Sequence, residues 1–145
     1  MEGVLRPLQA RAMQTQGELS VARPVVIVVD DDPAVRNSLR FSLEVEGFTV
    51  HEFSGGAELL QDAERCGAGC LVIDEQMPGM TGLQAVARLH ERDIAVPTIL
   101  MASRLTPALR ERAHRAGVSI VEKPLLGNVL LEGIREVLFR RHDHG

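Results

Sequence analysis

From residue 24 onward, short apolar runs alternate with segments in which apolar residues recur at helical spacing. Five short runs predict strands, and all but the second have the near-continuous apolar character of strands buried on both faces. Proline or glycine marks several helix ends, as Pro33 and Gly47 do for the first helix. The predicted strands are 25–29, 49–53, 70–73, 97–101 and 119–121, and the predicted helices are 33–46, 56–66, 83–92, 107–116 and 127–141.

This alternation predicts an α/β domain over residues 24–141. Strands joined through helices form right-handed crossovers, so we expect a doubly wound, five-stranded parallel sheet with helices on both faces. Residues 1–23 show no sustained period and are interpreted as a flexible N-terminal extension, and residues 142–145 as a C-terminal tail. Within the extension, one face of a short helix could be formed by Leu8, Ala12, Thr15 and Leu19.

Composition narrows the class of protein. A chain of 145 residues with 45% hydrophobic content suits one compact domain, and four Phe without Trp or Tyr indicate an aliphatic core. A net charge of -4 argues against direct nucleic-acid binding. Since no apolar stretch approaches about 20 residues and no leader pattern is present, we expect no membrane span and a cytoplasmic location. Cys66 and Cys70 are interpreted as reduced, structural thiols.

Acidic side chains follow two of the predicted strands. Asp30, Asp31 and Asp32 end the first apolar run, and Asp74 ends the third. Like charges at the ends of buried strands cost free energy unless a cation or a proton relieves them. In doubly wound sheets ligands bind at this edge, and Mg²⁺ prefers oxygen ligands, so we predict a magnesium site. Asp74 could then act as a nucleophile toward a phosphoryl donor, whereas Asp32, before Pro33, is better explained as a helix cap.

A single lysine follows the fifth predicted strand. Lys123 is the only Lys among 16 basic residues. An ammonium group at this position could pair with phosphate oxygens as a point charge. The alternative is a solvated cation at a strand end.

In their order along the chain, these residues resemble the receiver domain of two-component response regulators. The resemblance extends over about residues 24–141 and rests on Val29-Asp30-Asp31, Arg36 in the following helix, the segment 74–82 and Lys123-Pro124. The run 28–41 is most similar to the branch typified by nitrogen-fixation transcriptional regulators. The resemblance implies the flavodoxin-like strand order 2-1-3-4-5 and a phosphoacceptor signalling protein, not an enzyme.

The resemblance also implies roles for the residues at the strand ends. Asp74 would accept a phosphoryl group from a histidine kinase or a phosphotransfer protein, and Lys123 would pair with the phosphoryl oxygens. The cofactor would be Mg²⁺, with oxygen ligands from Asp31, Asp74, the Gln76 backbone carbonyl and, through a water molecule, Asp30.

The sequence departs from the usual receiver pattern at two positions. Ala102 ends the fourth predicted strand, where receivers usually have Thr or Ser, so only its backbone or the neighbouring Ser103 could contact the phosphoryl group. Ile120 occupies the switch position that is usually aromatic. We therefore expect phosphorylation chemistry with an altered relay to the output surface. In agreement with the family pattern, Pro124 would follow a cis peptide bond.

Three functional hypotheses follow. The first is a single-domain receiver that signals through contacts with a downstream protein. The second is a degenerate receiver that binds proteins independently of phosphorylation. The third is an aspartyl-nucleophile phosphatase of the haloacid-dehalogenase type, because Asp30-x-Asp32 fits its D-x-D signature, although Pro33 departs from it.

Two helices carry candidate interaction surfaces. The helix 107–116 has Leu105, Leu109 and Ala113 on its inner side, and its outer side carries arginines that could pair with an acidic partner, namely Arg110, Arg112 and Arg115. The last helix has more apolar residues than one buried stripe requires. This surplus predicts a homodimer interface through that helix and its neighbours. The alternative is that Leu131 and Phe139 are singly exposed apolar residues, which are common.

Overall fold

A computed structural model of the chain describes residues 24–64, 69–123 and 129–144. Five parallel strands form one sheet in the order β2-β1-β3-β4-β5. The predicted fold class and strand order are therefore confirmed. The strands are β1 (Val25–Val29), β2 (Thr49–Phe53), β3 (Gly69–Asp74), β4 (Thr98–Ala102) and β5 (Ser119–Glu122).

Five helices cover the two faces of the sheet in the described part of the chain. Side chains alternate along β1, so Val26 and Val28 pack in the core under the first and last helices, whereas Ile27 and Val29 pack under the other three. Both faces of the central strands are thereby removed from water. The helices are α1 (Pro33–Val45), α2 (Gly56–Gln61), α3 (Gly82–Glu91), α4 (Pro107–Ala116) and α5 (Val129–His144).

Two predicted features of these elements were wrong. The helix expected over 56–66 ends at Gln61, and residues 65–68, which include Cys66, lie outside the described residues. The fifth strand is not buried on both faces, because Ser119 and Glu122 are exposed. In the described sheet β5 pairs with β4 alone, so it forms an edge that the neighbouring helices cover incompletely.

The first helix begins where the sequence predicts. Asp32 adopts an extended backbone conformation, and its Oδ1 accepts a hydrogen bond of 2.9 Å from the Ala34 backbone N–H. Pro33 occupies the first turn, where a missing N–H costs nothing. The interpretation of Asp32 as a helix cap is confirmed.

Cys70 is buried, and burial raises the pKa of its thiol to about 12, so the thiol stays protonated and unreactive near neutral pH. Within the described ranges, no helix combines the length and the apolar character needed to cross a membrane.

Candidate functional site

Three carboxylates converge at the carboxyl-terminal edge of the sheet. Asp30 follows β1 and Asp74 ends β3, and these strands are neighbours paired through Val29 and Ile73. Oxygen atoms of Asp30, Asp31 and Asp74 all lie within 4.8 Å of one another. Asp30 is 0% and Asp74 4% exposed, whereas Asp31 faces solvent. The acidic cluster expected from the sequence therefore forms, with two buried members and one open to water.

Lys123 reaches this cluster from the other side of β4. Its backbone N–H donates a 2.8 Å hydrogen bond to the Ala102 carbonyl, which completes the pairing of Ala102 with Glu122 at the end of the β4–β5 ladder. Its Nζ donates to Asp30 Oδ2 at 2.8 Å and lies 3.3 Å from Asp74 Oδ1. One ammonium group thus faces two buried carboxylates.

The electrostatics of the site reflect this unequal number of charges. Burial and the charge of Asp30 raise the pKa of Asp74, and Lys123 and a backbone hydrogen bond from Gln76 offset the rise only in part. Burial lowers the pKa of Lys123, but its hydrogen bonds and ion pairs with Asp30 and Asp74 together raise it. The ionised form of Asp74 is therefore disfavoured, and an added cation would stabilise that form.

The loop after β1 is held by backbone contacts. Asp30 Oδ1 accepts a 2.9 Å hydrogen bond from the Asp32 N–H. A terminal nitrogen of Arg36 donates to the Asp30 carbonyl at 2.6 Å, and its Nε lies 3.4 Å from Glu52 on β2. Arg36 therefore positions the acidic loop from α1, a contact that the motif alone did not reveal.

Glu75 is a buried acid to which the sequence assigned no role. Its Oε1 accepts a 2.9 Å hydrogen bond from the Leu83 N–H in the first turn of α3, and its Oε2 lies 3.9 Å from a nitrogen of Arg112 on α4. Thr81 is the N-cap of α3, and Glu75 adds an acceptor for a further first-turn N–H, so it lies apart from the acidic cluster. No local pattern indicates this contact, because its partner lies eight residues away across a loop.

The backbone of Asp74 is packed tightly against the start of α3. A Cβ atom added at Gly82 would lie 2.6 Å from the Asp74 carbonyl oxygen and 2.7 Å from Leu100 Cδ1. Gly82→Ala is therefore expected to lower the free energy of unfolding by about 1–3 kcal/mol, the usual cost of overpacking. Urea unfolding at constant protein concentration measures the change.

Gly133 in α5 provides the matched control. A Cβ there would meet Ile99 Cδ1 at 3.4 Å, an ordinary contact. Gly133→Ala is expected to stabilise the protein by about 0.5–1 kcal/mol, because alanine loses less backbone entropy in a helix. Equal effects of the two substitutions would contradict the close approach at Gly82.

The remaining residues singled out from the sequence lie around the acidic cluster in different environments. Gln76 has an exposed side chain and a backbone hydrogen bond to Asp74. Ala102 is 2% exposed at the end of β4, and Ser103 beside it faces solvent. Ile120 is half-buried against the core under α3 and α4. Pro124 lies outside the described residues.

A family model, the response regulator receiver domain, matches residues 26–135. The chain belongs to this family. The family is one of signalling proteins, so the resemblance inferred from the strand-end residues is confirmed.

Individual relatives agree with this assignment. The chain is 33% identical over 120 residues to the C4-dicarboxylate transport transcriptional regulatory protein DctD of Pseudomonas aeruginosa, covering 81% of this chain and 26% of DctD. It is 33% identical over 121 residues to the transcriptional regulatory protein FixJ of Azorhizobium caulinodans, covering 83% of this chain and 57% of FixJ. The chain thus spans only part of the curated relatives that it matches.

A solved structure agrees with the fold. The crystal structure of FixJ-N has a TM-score of 0.74 and 30% identity, over 81% of this chain and 94% of that one. With the sequence match to FixJ, this likeness supports the branch inferred from the run 28–41.

The donor set of the acidic cluster fits a hard divalent cation. Three carboxylates supply oxygen atoms and no sulfur or imidazole ligand, which suits Mg²⁺ better than zinc or copper. The exposure of Asp31 leaves one side open to water, and Mg²⁺ usually retains several water ligands.

Proposed function

We propose that this chain accepts a phosphoryl group on Asp74 from a histidine kinase or a phosphotransfer protein, in a reaction that depends on Mg²⁺. The observation that carries the proposal is the arrangement of Asp74, with a buried acid on one side and Lys123 Nζ at 3.3 Å on the other. Membership of the receiver family supports it. Transfer from acetyl phosphate, followed by intact-mass spectrometry, tests it.

In the proposed phosphoryl transfer, Asp74 and Lys123 have different roles. An Asp74 carboxylate oxygen forms a bond to phosphorus while the phosphorus–nitrogen bond of the donor phosphohistidine breaks. The electron pair of that bond stays on the imidazole nitrogen, which takes up a proton. Lys123 lies within reach of the incoming phosphoryl oxygens and would offset part of their charge.

The metal would be held by the residues predicted from the sequence. Asp31, Asp74 and the Gln76 backbone carbonyl would bind Mg²⁺ directly, and Asp30 would act through water. Bound Mg²⁺ would supply positive charge that offsets the carboxylates and the phosphoryl oxygens. The raised pKa of Asp74 supports a need for this charge.

Output through contacts with another protein is part of the proposal. The solvent-facing arginines of α4, Arg110, Arg112 and Arg115, provide one surface for an acidic partner. Of these, Arg115 already pairs with Glu111 at 2.6 Å, and Arg112 lies 3.9 Å from Glu75. The curated relatives extend beyond the matched part, so signalling as a single domain stays a prediction.

A second candidate is a binding module that does not switch with phosphorylation. Ala102 favours it, because a methyl group at the end of β4 offers no hydrogen bond to a phosphoryl oxygen. Ile120 favours it as well, since it stands at the switch position where receivers usually have an aromatic side chain. The phosphatase hypothesis loses its support, because the side chain of Asp32 caps α1.

Substitution at Ala102 tests how the missing hydroxyl group affects the site. Ala102→Thr is expected to raise the affinity for beryllofluoride, a phosphoryl mimic, about tenfold, because a hydrogen bond to a charged group contributes roughly 1.5–3 kcal/mol. Isothermal titration calorimetry with Mg²⁺ present measures the affinity. Ser103→Ala is the control and should leave it unchanged; an equal response of both variants would contradict the placement of Ala102 beside the phosphoryl group.

A further inference from the structure

The exposed large hydrophobic side chains of the described residues are Phe41, Val45 and Phe139. Phe41 and Val45 are 72% and 68% exposed and lie one turn apart on the outer side of α1. Single exposed apolar residues are common, but neighbouring ones indicate a surface that another element covers.

Phe139 of α5 lies near the same end of the domain. Arg135 on α5 pairs at 3.0 Å with Glu46, the residue that caps the C-terminal end of α1. Phe139, 68% exposed, follows Arg135 by one helical turn. Together Phe41, Val45 and Phe139 form what we call the α1–α5 patch.

The N-terminal segment, residues 1–23, joins the domain beside this patch. The Pro24 carbonyl accepts a 3.0 Å hydrogen bond from the N–H of Thr49, which begins β2 directly after the turn that follows α1. The chain therefore enters the sheet at the edge where α1 ends. The 15 residues between Leu8 and Pro24 can span about 50 Å when extended, more than twice the length of α1, about 20 Å.

The composition of the segment suits the patch. Leu8, Ala12 and Leu19, with Thr15 between them, fit one face of a short helix. The segment has three Arg and two Glu, so it carries one positive charge, whereas the rest of the chain carries five negative charges. Both apolar contact and charge therefore favour its association with the domain.

We propose that residues 1–23 dock on the α1–α5 patch through the apolar face that contains Leu8. The patch is then an internal interaction surface of this chain. This proposal is independent of phosphorylation at Asp74.

Fluorescence of a single tryptophan tests the contact in the full chain. The sequence contains no Trp and no Tyr, so Phe41→Trp introduces the only strong fluorophore at an exposed position. We expect a blue-shifted emission that is independent of protein concentration. Leu8→Ser in this background should shift the emission to the red and raise quenching by acrylamide several-fold, whereas the control Gln9→Ser should change neither.

Limited proteolysis gives a second measurement. Arg6 and Arg23 each precede proline, so trypsin can cut within residues 1–23 only after Arg11. Cleavage there should accelerate several-fold in Phe41→Ser, and Ala108→Ser, an exposed change on α4 across the sheet, should not affect it. Mass spectrometry of the product follows the rate.

Three results would overturn the proposal. Emission typical of a fully water-exposed indole in the Phe41→Trp variant would show an uncovered patch. Blue-shifted emission that changes with protein concentration would assign the patch to a second copy of the chain. Emission and cleavage that do not respond to Leu8→Ser and Phe41→Ser, respectively, would exclude docking of the segment.

Discussion

With Mg²⁺ and acetyl phosphate, the chain is expected to gain a single phosphoryl adduct that Asp74→Asn abolishes. Asp74 is the buried carboxylate at the end of β3, and Lys123 Nζ lies 3.3 Å from its Oδ1. A neutral amide keeps the size of the side chain but is a far weaker nucleophile. Intact-mass spectrometry before and after addition of the donor measures the adduct.

Asp32 supplies a matched control in the same acidic run. Its side chain caps α1 through the Ala34 N–H, and asparagine caps helices about as well as aspartate. Asp32→Asn should therefore retain the adduct at nearly the wild-type level. Absence of an adduct in folded wild-type protein would favour the binding module, and an adduct on Asp74→Asn would exclude Asp74 as the acceptor.

Lys123→Met is expected to lower the free energy of unfolding by about 2 kcal/mol at neutral pH without Mg²⁺. This value lies between the ~1 kcal/mol of exposed ion pairs and the 3–5 kcal/mol of breaking fully buried ones, because the Lys123 side chain is 20% exposed. The loss arises because Asp30 and Asp74 stay buried without a cation. Urea unfolding measures it, and added Mg²⁺ should recover part of the stability.

The pH dependence of this loss follows from the direction of the pKa shifts. The folded-state pKa of Asp74 is raised above its ordinary value of 3.8, so its protonated form stabilises the fold and this stability is lost as pH rises through the folded pKa. Removal of Lys123 raises the pKa further. The difference between Lys123→Met and wild type should therefore be largest at neutral pH and shrink as pH falls toward 3.8.

A surface ion pair and a double variant control for this effect. Arg135→Met breaks the pair with Glu46 at 3.0 Å, and because both side chains are largely exposed it should cost less than about 1 kcal/mol. Asp74→Asn in the Lys123→Met background should restore part of the lost stability. A loss that is independent of pH and unaffected by Asp74→Asn would mean that the methylene packing of Lys123, not its charge, stabilises the site.

Much of the architecture followed from periodicity in the sequence. The strands are short apolar runs, and the helices between them carry apolar residues at 3.6-residue spacing, so their order specified a parallel sheet. The helix 107–116 was predicted with its observed bounds because Pro107 and Gly117 mark its two ends. The fifth strand was predicted with the wrong burial, because a short apolar run does not reveal how many neighbours the strand has.

The sequence predicted those parts of the site that depend on residues directly beside a strand. A carboxylate directly after a buried run must lie at a strand end, so Asp30, Asp31 and Asp74 could be placed together from the sequence. The role of Glu75 could not be predicted, since it sits directly beside Asp74 yet points to α3. The close approach of Gly82 to the Asp74 carbonyl also depends on how a loop folds, not on residue spacing.

The sequence by itself determined the succession of strands and helices along the chain, the strand ends at which the acids lie and the cap that Asp32 provides, because each depends on residues close together along the chain. Only the tertiary structure decided that Asp30 is buried while Asp31 faces water, and that Lys123 bridges Asp74 and Asp30, the latter 93 residues away in sequence. It also decided the raised pKa of Asp74. The burial of a charged group and its distance from other charges result from the packing of segments that are distant in sequence. These two quantities affect the free energy of ionisation more strongly than the residues adjacent in sequence do.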